Sequence, residues 1–163
     1  MKSKLIIIRG NSGSGKTTIA RNLQQKLGAG TLLVSQDTVR REMLHVKDRH
    51  GNLSIDLIEI IASYGKNNTP YIIVEGILGK ETYQDMLLSL IHFFDDNADV
   101  YYFNLPFAET VKRHQTKGNA HEFGVEKLKT WWLDNDLLGM ENETILTEHQ
   151  SAEDIMKLIL DKL

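Results

Sequence analysis

The chain has 163 residues, enough for one domain that buries about two-thirds of the surface its unfolded form exposes. Its net charge of −3 gives no general attraction to phosphate backbones or anionic membranes, and the absence of cysteine excludes disulfides, thiolate metal sites and thiol catalysis. The first apolar run, residues 5–8, is cut by Arg9 and is too short for a signal peptide or a membrane span, so a cytoplasmic domain is expected.

Aliphatic strand-length runs alternate with longer helical patterns, which predicts βαβ units and a parallel sheet. The run 5–8 is apolar at every position, as a strand covered on both faces requires. It leads into Gly10-Asn11-Ser12-Gly13-Ser14-Gly15-Lys16-Thr17, which matches Gly-x-x-x-x-Gly-Lys-Ser/Thr. A helix over 17–27 follows, with Ile19, Leu23 and Leu27 at spacing four and Gly28 as its stop. Glycines 10, 13 and 15 permit a backbone whose successive N–H groups turn inward at a helix N-terminus and form an anion nest. Lys16 is placed to reach the β- and γ-phosphates of ATP. The Thr17 hydroxyl suits Mg²⁺, a hard cation that prefers oxygen. Thr18 completes the stretch that would hold the nucleotide.

A second strand is predicted over 31–34. Beyond it stand Asp37 and, one helical turn on, Arg40 with its neighbour Arg41. Strand C-termini of an open parallel sheet face the ligand crevice. There Asp37 can take a proton from an acceptor hydroxyl, and Arg40 can clamp a phosphate or an anionic substrate group. The alternative is Asp37 as a helix cap with Arg40 pairing on the surface. Residues 38–50 carry Arg40, Arg41, Lys47 and Arg49 against Glu42 and Asp48, a net of +2, which suits an anionic acceptor or a solvated loop. Nucleic acid would require a longer basic groove.

A helix is predicted over 53–64 and a third strand over 71–74 after Pro70, ending at Glu75-Gly76. Glu75 can hold Mg²⁺ with Thr17, directly or through water, or orient the substrate; Gly76 would let a ligand approach the backbone. Tyr83, Met86, Leu87, Leu90, Ile91 and Phe94 mark an amphipathic helix, and 100–103 a fourth strand. Pro106 can open the next helix, where Phe107 and Val111 share a packing face. Lys112, Arg113 and Lys117 make this segment basic, either a lid over about 113–124 that closes on the triphosphate or a solvated face. His114, His121 and Glu122 lack zinc-protease spacing. Trp131 and Trp132 follow Val125 and Leu128 at helical spacing, so one is expected in the core and the other toward the lid or acceptor. Asp134 and Asp136 read as a polar turn, 144–146 as an edge strand, and Ser151 with Asp154 as a capping box for a last helix bearing Ile155, Leu158 and Ile159. Neither Asp48-x-x-Gly51 nor Asp136-x-x-Gly139 follows an aliphatic strand, and Asn-Lys-x-Asp is absent, which argues against a GTPase switch.

The loop at 10–17, the Asp37/Arg40 pair, the Glu75-Gly76 strand end and the Arg113 segment together resemble the small P-loop kinases. The nearest group is the zeta-toxin and polynucleotide-kinase-like set that includes chloramphenicol phosphotransferase, with gluconate and shikimate kinases further off. The resemblance covers 5–118. It implies a three-layer α/β P-loop NTPase sandwich with a five-stranded parallel sheet of order 2-3-1-4-5, Asp37 as base, Arg40 as substrate or phosphate contact and Arg113 as lid arginine. One kinase domain over 1–163 is then expected, moving the γ-phosphoryl group of ATP, with Mg²⁺, to a hydroxyl of a small-molecule acceptor such as a nucleoside, sugar or antibiotic. Lys16, Asp37, Arg40 and Arg113 would act in catalysis. Residues 10–18 with Arg113 and Lys117 would hold nucleotide, and Asp37, Arg40, Arg41, Glu75 and Gly76 would meet the acceptor. A nucleotide-binding regulatory protein and a 5′-hydroxyl polynucleotide kinase are the alternatives. No membrane partner is expected, and no signature fixes the oligomeric state.

Overall fold

A strand without a polar position has to be buried on both faces, and this requirement organises the sheet. The elements run β1 (Lys4–Gly10), α1 (Lys16–Leu27), β2 (Leu32–Ser35), a π-helical turn (Thr38–Met43), α2 (Ser54–Gly65), β3 (Tyr71–Gly76), α3 (Lys80–Phe93), β4 (Ala98–Phe103), α4 (Phe107–Gln115), α5 (Val125–Thr130), β5 (Glu143–Leu146) and α6 (Ala152–Leu160). This is a computed structural model that describes residues 2–116 and 124–163. Leu5 and Ile7 of β1 join the core formed with α2 and α3, while Ile6 and Ile8 join the one formed with α1 and α6. All four are fully buried, each worth about 1.5–3 kcal/mol relative to exposure.

The five strands are parallel in the order β2-β3-β1-β4-β5, as the resemblance implied. Register sets Ile7 of β1 beside Val74 of β3 and Val100 of β4. The C-termini of β1, β2 and β3 therefore reach the same edge, with Ser35 beside Glu75 and Arg9 beside Gly76. The chain passes to β2 and β3 on one side of β1 and to β4 and β5 on the other, so the topological switch lies at the end of β1, where a ligand crevice forms. Ser151 and Asp154 make the reciprocal capping box at α6. Among the described residues no helix is long and apolar enough to cross a membrane.

Two sequence expectations are corrected. Arg9, which interrupts the apolar run, is drawn inside the protein. Its side chain is fully buried, with Nη2 2.8 Å from Asp136 Oδ2, Nη1 3.3 Å from Glu143 Oε1, and Nε and Nη2 donating to the Leu78 carbonyl. Asp136 is thus an internal counterion rather than part of a solvated turn. Neither tryptophan enters the core. Helix α5 ends at Thr130, before both, which leaves Trp131 43% exposed while Trp132 packs edge-on against Phe107.

Candidate active site

The loop between β1 and α1 is shaped by close contact with α4. Gly13 has φ 81°, and a Cβ there would sit 2.7 Å from the Thr110 carbonyl oxygen, so only glycine fits. Helix α1 begins with no side-chain cap and no acid in its first turn. Its leading N–H groups and the positive end of its dipole are left for an anion. Lys16, 8% exposed, lies over this end with Nζ donating to the Asn11 carbonyl at 3.1 Å. Ser14 is buried, its hydroxyl has no hydrogen-bond partner, and Thr18 is exposed on the first turn.

Thr17 and Glu75 come together from α1 and the end of β3, the Thr17 hydroxyl donating to Glu75 Oε2 at 3.2 Å. Glu75 is 2% exposed. A buried carboxylate joined to a hydroxyl at the mouth of an anion nest is a hard-oxygen donor pair that fits Mg²⁺.

Asp37 and Arg40 stand on the turn beyond β2. Arg40 Nη2 approaches Asp37 Oδ1 at 3.4 Å and Nη1 donates to the Val46 carbonyl at 3.1 Å. Asp37 precedes the π-helical turn and makes no capping bond with its side chain. Both residues line a cavity of about 820 Å³, together with Ser12 of the loop and Arg41. Arg113 reaches the loop from α4, with Nη1 on the Ser14 carbonyl at 2.7 Å and Nε on Glu109 at 2.9 Å. Lys117, His121, Glu122 and most of the expected lid lie outside the described residues; His114 is buried in α4. The space beside Gly76 is taken by the chain itself. A Cβ there would collide with Gln36 Oε1 and Gln36 Cβ.

Gln36 carries no motif, yet it ties the end of β2 to the segments at Leu78 and Asp48. Its Oε1 accepts from the Leu78 N–H at 2.9 Å, and its Nε2 donates to Asp48 Oδ2 at 3.1 Å. Asp48 Oδ1 in turn accepts from the Tyr83 hydroxyl at 2.7 Å. Burial holds the Tyr83 phenol above its ordinary value, so it stays a donor. Leu78, fully buried between Gln36 and Arg9, has φ 45°, an unusual conformation for a non-glycine residue that both partners enforce. Asn11 contributes a second tie, its side chain bonding both the N–H and the carbonyl of Leu133.

A family model described as AAA domain matches residues 5–131. No curated protein matches the chain. Among solved structures, the APS kinase of Mycobacterium tuberculosis in complex with AMPPNP and APS is similar at 16% identity and a TM-score of 0.72, over 98% of this chain and 96% of that one. A gluconokinase from Sinorhizobium meliloti 1021 is similar at 15% identity and 0.68, over 98% and 91%. The shikimate kinase from Acinetobacter baumannii in complex with shikimate is similar at 19% identity and 0.60, over 98% and 92%. At these identities the likeness is one of fold.

Proposed function

The chain belongs to the AAA domain family, and from that premise we propose that it is a small P-loop kinase transferring the γ-phosphoryl group of ATP to a hydroxyl of a small-molecule acceptor, with the whole chain acting as one kinase domain. Within the P-loop kinases its motifs group it with the zeta-toxin and polynucleotide-kinase-like set. The observation that carries the activity is that Ser12 of the phosphate loop and the Asp37/Arg40 pair line the same cavity, so a donor phosphate and an acceptor can meet there.

In this reading the amides of residues 13–18 and Lys16 bind the triphosphate. Thr17 and Glu75 would hold Mg²⁺, which neutralises charge on the β- and γ-phosphates when bound. The acceptor oxygen forms a bond to the γ-phosphorus while the bond to the bridging oxygen breaks, its electron pair leaving with ADP. The acceptor's proton passes to the Asp37 carboxylate. Arg40 orients that carboxylate and, with Arg113, opposes the charge developing on the transferred group.

The test is a mass-spectrometric screen of Mg·ATP with pooled nucleosides, sugars, antibiotics and a 5′-hydroxyl oligonucleotide, searched for products that gain one phosphoryl group. Asp37→Asn should bind ATP normally and cut transfer by roughly 10²–10⁴-fold. Unchanged turnover in that variant would remove Asp37 as base. ATP binding with no product from any pool would favour a regulatory nucleotide-binding protein.

A further inference from the structure

Resting on the kinase reading, we propose that the acceptor is an anionic, ring-bearing molecule whose phosphate or carboxylate sits on Arg41, Lys47 and Arg49 and whose ring lies along Trp131 and Leu133. Arg41, Lys47 and Arg49 all line the cavity and are exposed, and among the described residues none forms an ion pair. Arg40 differs, since its two terminal nitrogens already bond Asp37 and the Val46 carbonyl, leaving Nε.

The cavity lining carries five basic residues, these three with Arg40 and Lys127, against four acids, Asp37, Asp48, Glu81 and Asp136, and Asp37 pairs with Arg40. Asp136 pairs with the buried Arg9, which it shares with Glu143. Asp48 is turned toward the Tyr83 hydroxyl and the Gln36 amide. That double anchor also fixes the segment on either side of it, so Lys47 and Arg49 flank a pinned residue instead of moving on a free loop. Like charges gathered on a fixed wall repel one another, and an anion placed among them relieves that cost. A neutral polyol would want paired donors and acceptors there; three cations offer donors only.

Part of the lining is apolar. Ile77, Trp131 and Leu133 make up that part, with Trp131 43% and Leu133 37% exposed, large apolar surfaces turned toward solvent at a cavity. An indole stacks on planar and puckered rings alike. A molecule that reaches both the cations and the apolar residues lies in the cavity that Asp37 also lines.

The experiment uses matched pairs in which an anionic group takes the place of one hydroxyl and at least one other hydroxyl remains: uridine and uridine 5′-monophosphate, glucose and glucuronate, 4-(hydroxymethyl)benzyl alcohol and 4-(hydroxymethyl)benzoate. Each is titrated calorimetrically into the protein with Mg²⁺ and a non-hydrolysable ATP analogue, then tested for phosphoryl gain with Mg·ATP. The anionic member of at least one pair should bind about tenfold or more tightly than its neutral partner. Arg41→Ala/Lys47→Ala/Arg49→Ala should abolish that preference while Mg·ATP affinity stays within about twofold. Trp131→Ala should weaken ring-bearing probes and leave the glucuronate preference over glucose in place. The first and second pairs separate a phosphate from a carboxylate source. Equal use of both members, no binding by any anionic probe, or an unchanged preference in the triple variant overturns the inference. If a neutral member still gains a phosphoryl group, the kinase reading survives. If Mg·ATP itself does not bind, the kinase reading falls and this one with it.

Discussion

Asn11 and Leu133 hold each other through one amide, Asn11 Nδ2 donating to the Leu133 carbonyl at 2.7 Å and the Leu133 N–H donating to Asn11 Oδ1 at 2.8 Å. The pair joins the phosphate loop to the wall that carries Trp131, across 122 residues of sequence. Occupation of the loop should therefore be felt by that wall. The chain has two tryptophans, adjacent at 131 and 132, so their emission reports on it. Titration with Mg·ATP should change the emission of the native protein. In Asn11→Ala, which leaves both backbone groups of Leu133 unpaired at a cost of about 1–3 kcal/mol, the amplitude should fall below roughly half while nucleotide still binds. An undiminished signal would mean that the tie does not transmit.

The Thr17–Glu75 bond gives a second prediction. Glu75→Gln keeps the shape of a side chain only 2% exposed and removes its charge. Metal-free ADP should bind much as before. The Mg²⁺ concentration needed for half-maximal ATP binding should rise about tenfold or more, the usual scale for a group that supports a metal site. A magnesium titration that superimposes on that of the native protein would take Glu75 out of the metal site.

What could be read from the sequence was what local pattern dictates. The glycine-rich loop announces itself because its backbone demands glycine at fixed spacing. The all-apolar run of β1 requires cover on both faces, and Ser151 with Asp154 specifies its own helix start. What escaped was written in pairs far apart. Arg9 looked like the end of an apolar run because its counterions lie 127 and 134 positions downstream. Gly76 suggested room for a ligand, yet the residue that fills the room is Gln36, and nothing in a lone glutamine signals that role. Asp48-x-x-Gly51 looked like a chance match. Only the fold brings Tyr83 and Gln36 to that carboxylate. The tryptophans kept helical spacing with Leu128, but α5 stops at Thr130 and the periodicity no longer governs them.

Arg9 should dominate stability among single polar substitutions. Arg9→Met fits the space with an apolar chain but strands Glu143, whose side chain is 3% exposed, and Asp136. Removing one partner of a buried ionic group costs about 3–5 kcal/mol. Urea unfolding should show a loss of that size, and Arg9→Met/Asp136→Asn/Glu143→Gln should recover part of it. A loss under about 1 kcal/mol for the single variant would show that the cluster is dispensable.

Tyr101 should behave in the opposite way. Its ring is fully buried on β4, its hydroxyl has no hydrogen-bond partner, and burial together with the nearby Asp99 carboxylate pushes the phenol far above its ordinary value of 10.0. The folded protein thus keeps the Tyr101 proton more tightly than the unfolded chain does. The resulting stability is fully present below about pH 10 and is lost as pH climbs from there toward the folded-state value, by up to about 1.4 kcal/mol per pH unit. Tyr101→Phe deletes an unsatisfied buried hydroxyl and keeps the ring that lies 5.5 Å from the Lys162 ammonium. At pH 7 the variant should melt at the same temperature as the native protein or above it, because no hydrogen bond is lost. Between pH 10 and 11.5 its melting temperature should fall less steeply. Tyr83 and Tyr102 are also held above their ordinary values by burial, so a shallower alkaline decline should remain. Thermal melts across that range decide it, and parallel declines in the two proteins would show that the Tyr101 hydroxyl is not what resists ionisation.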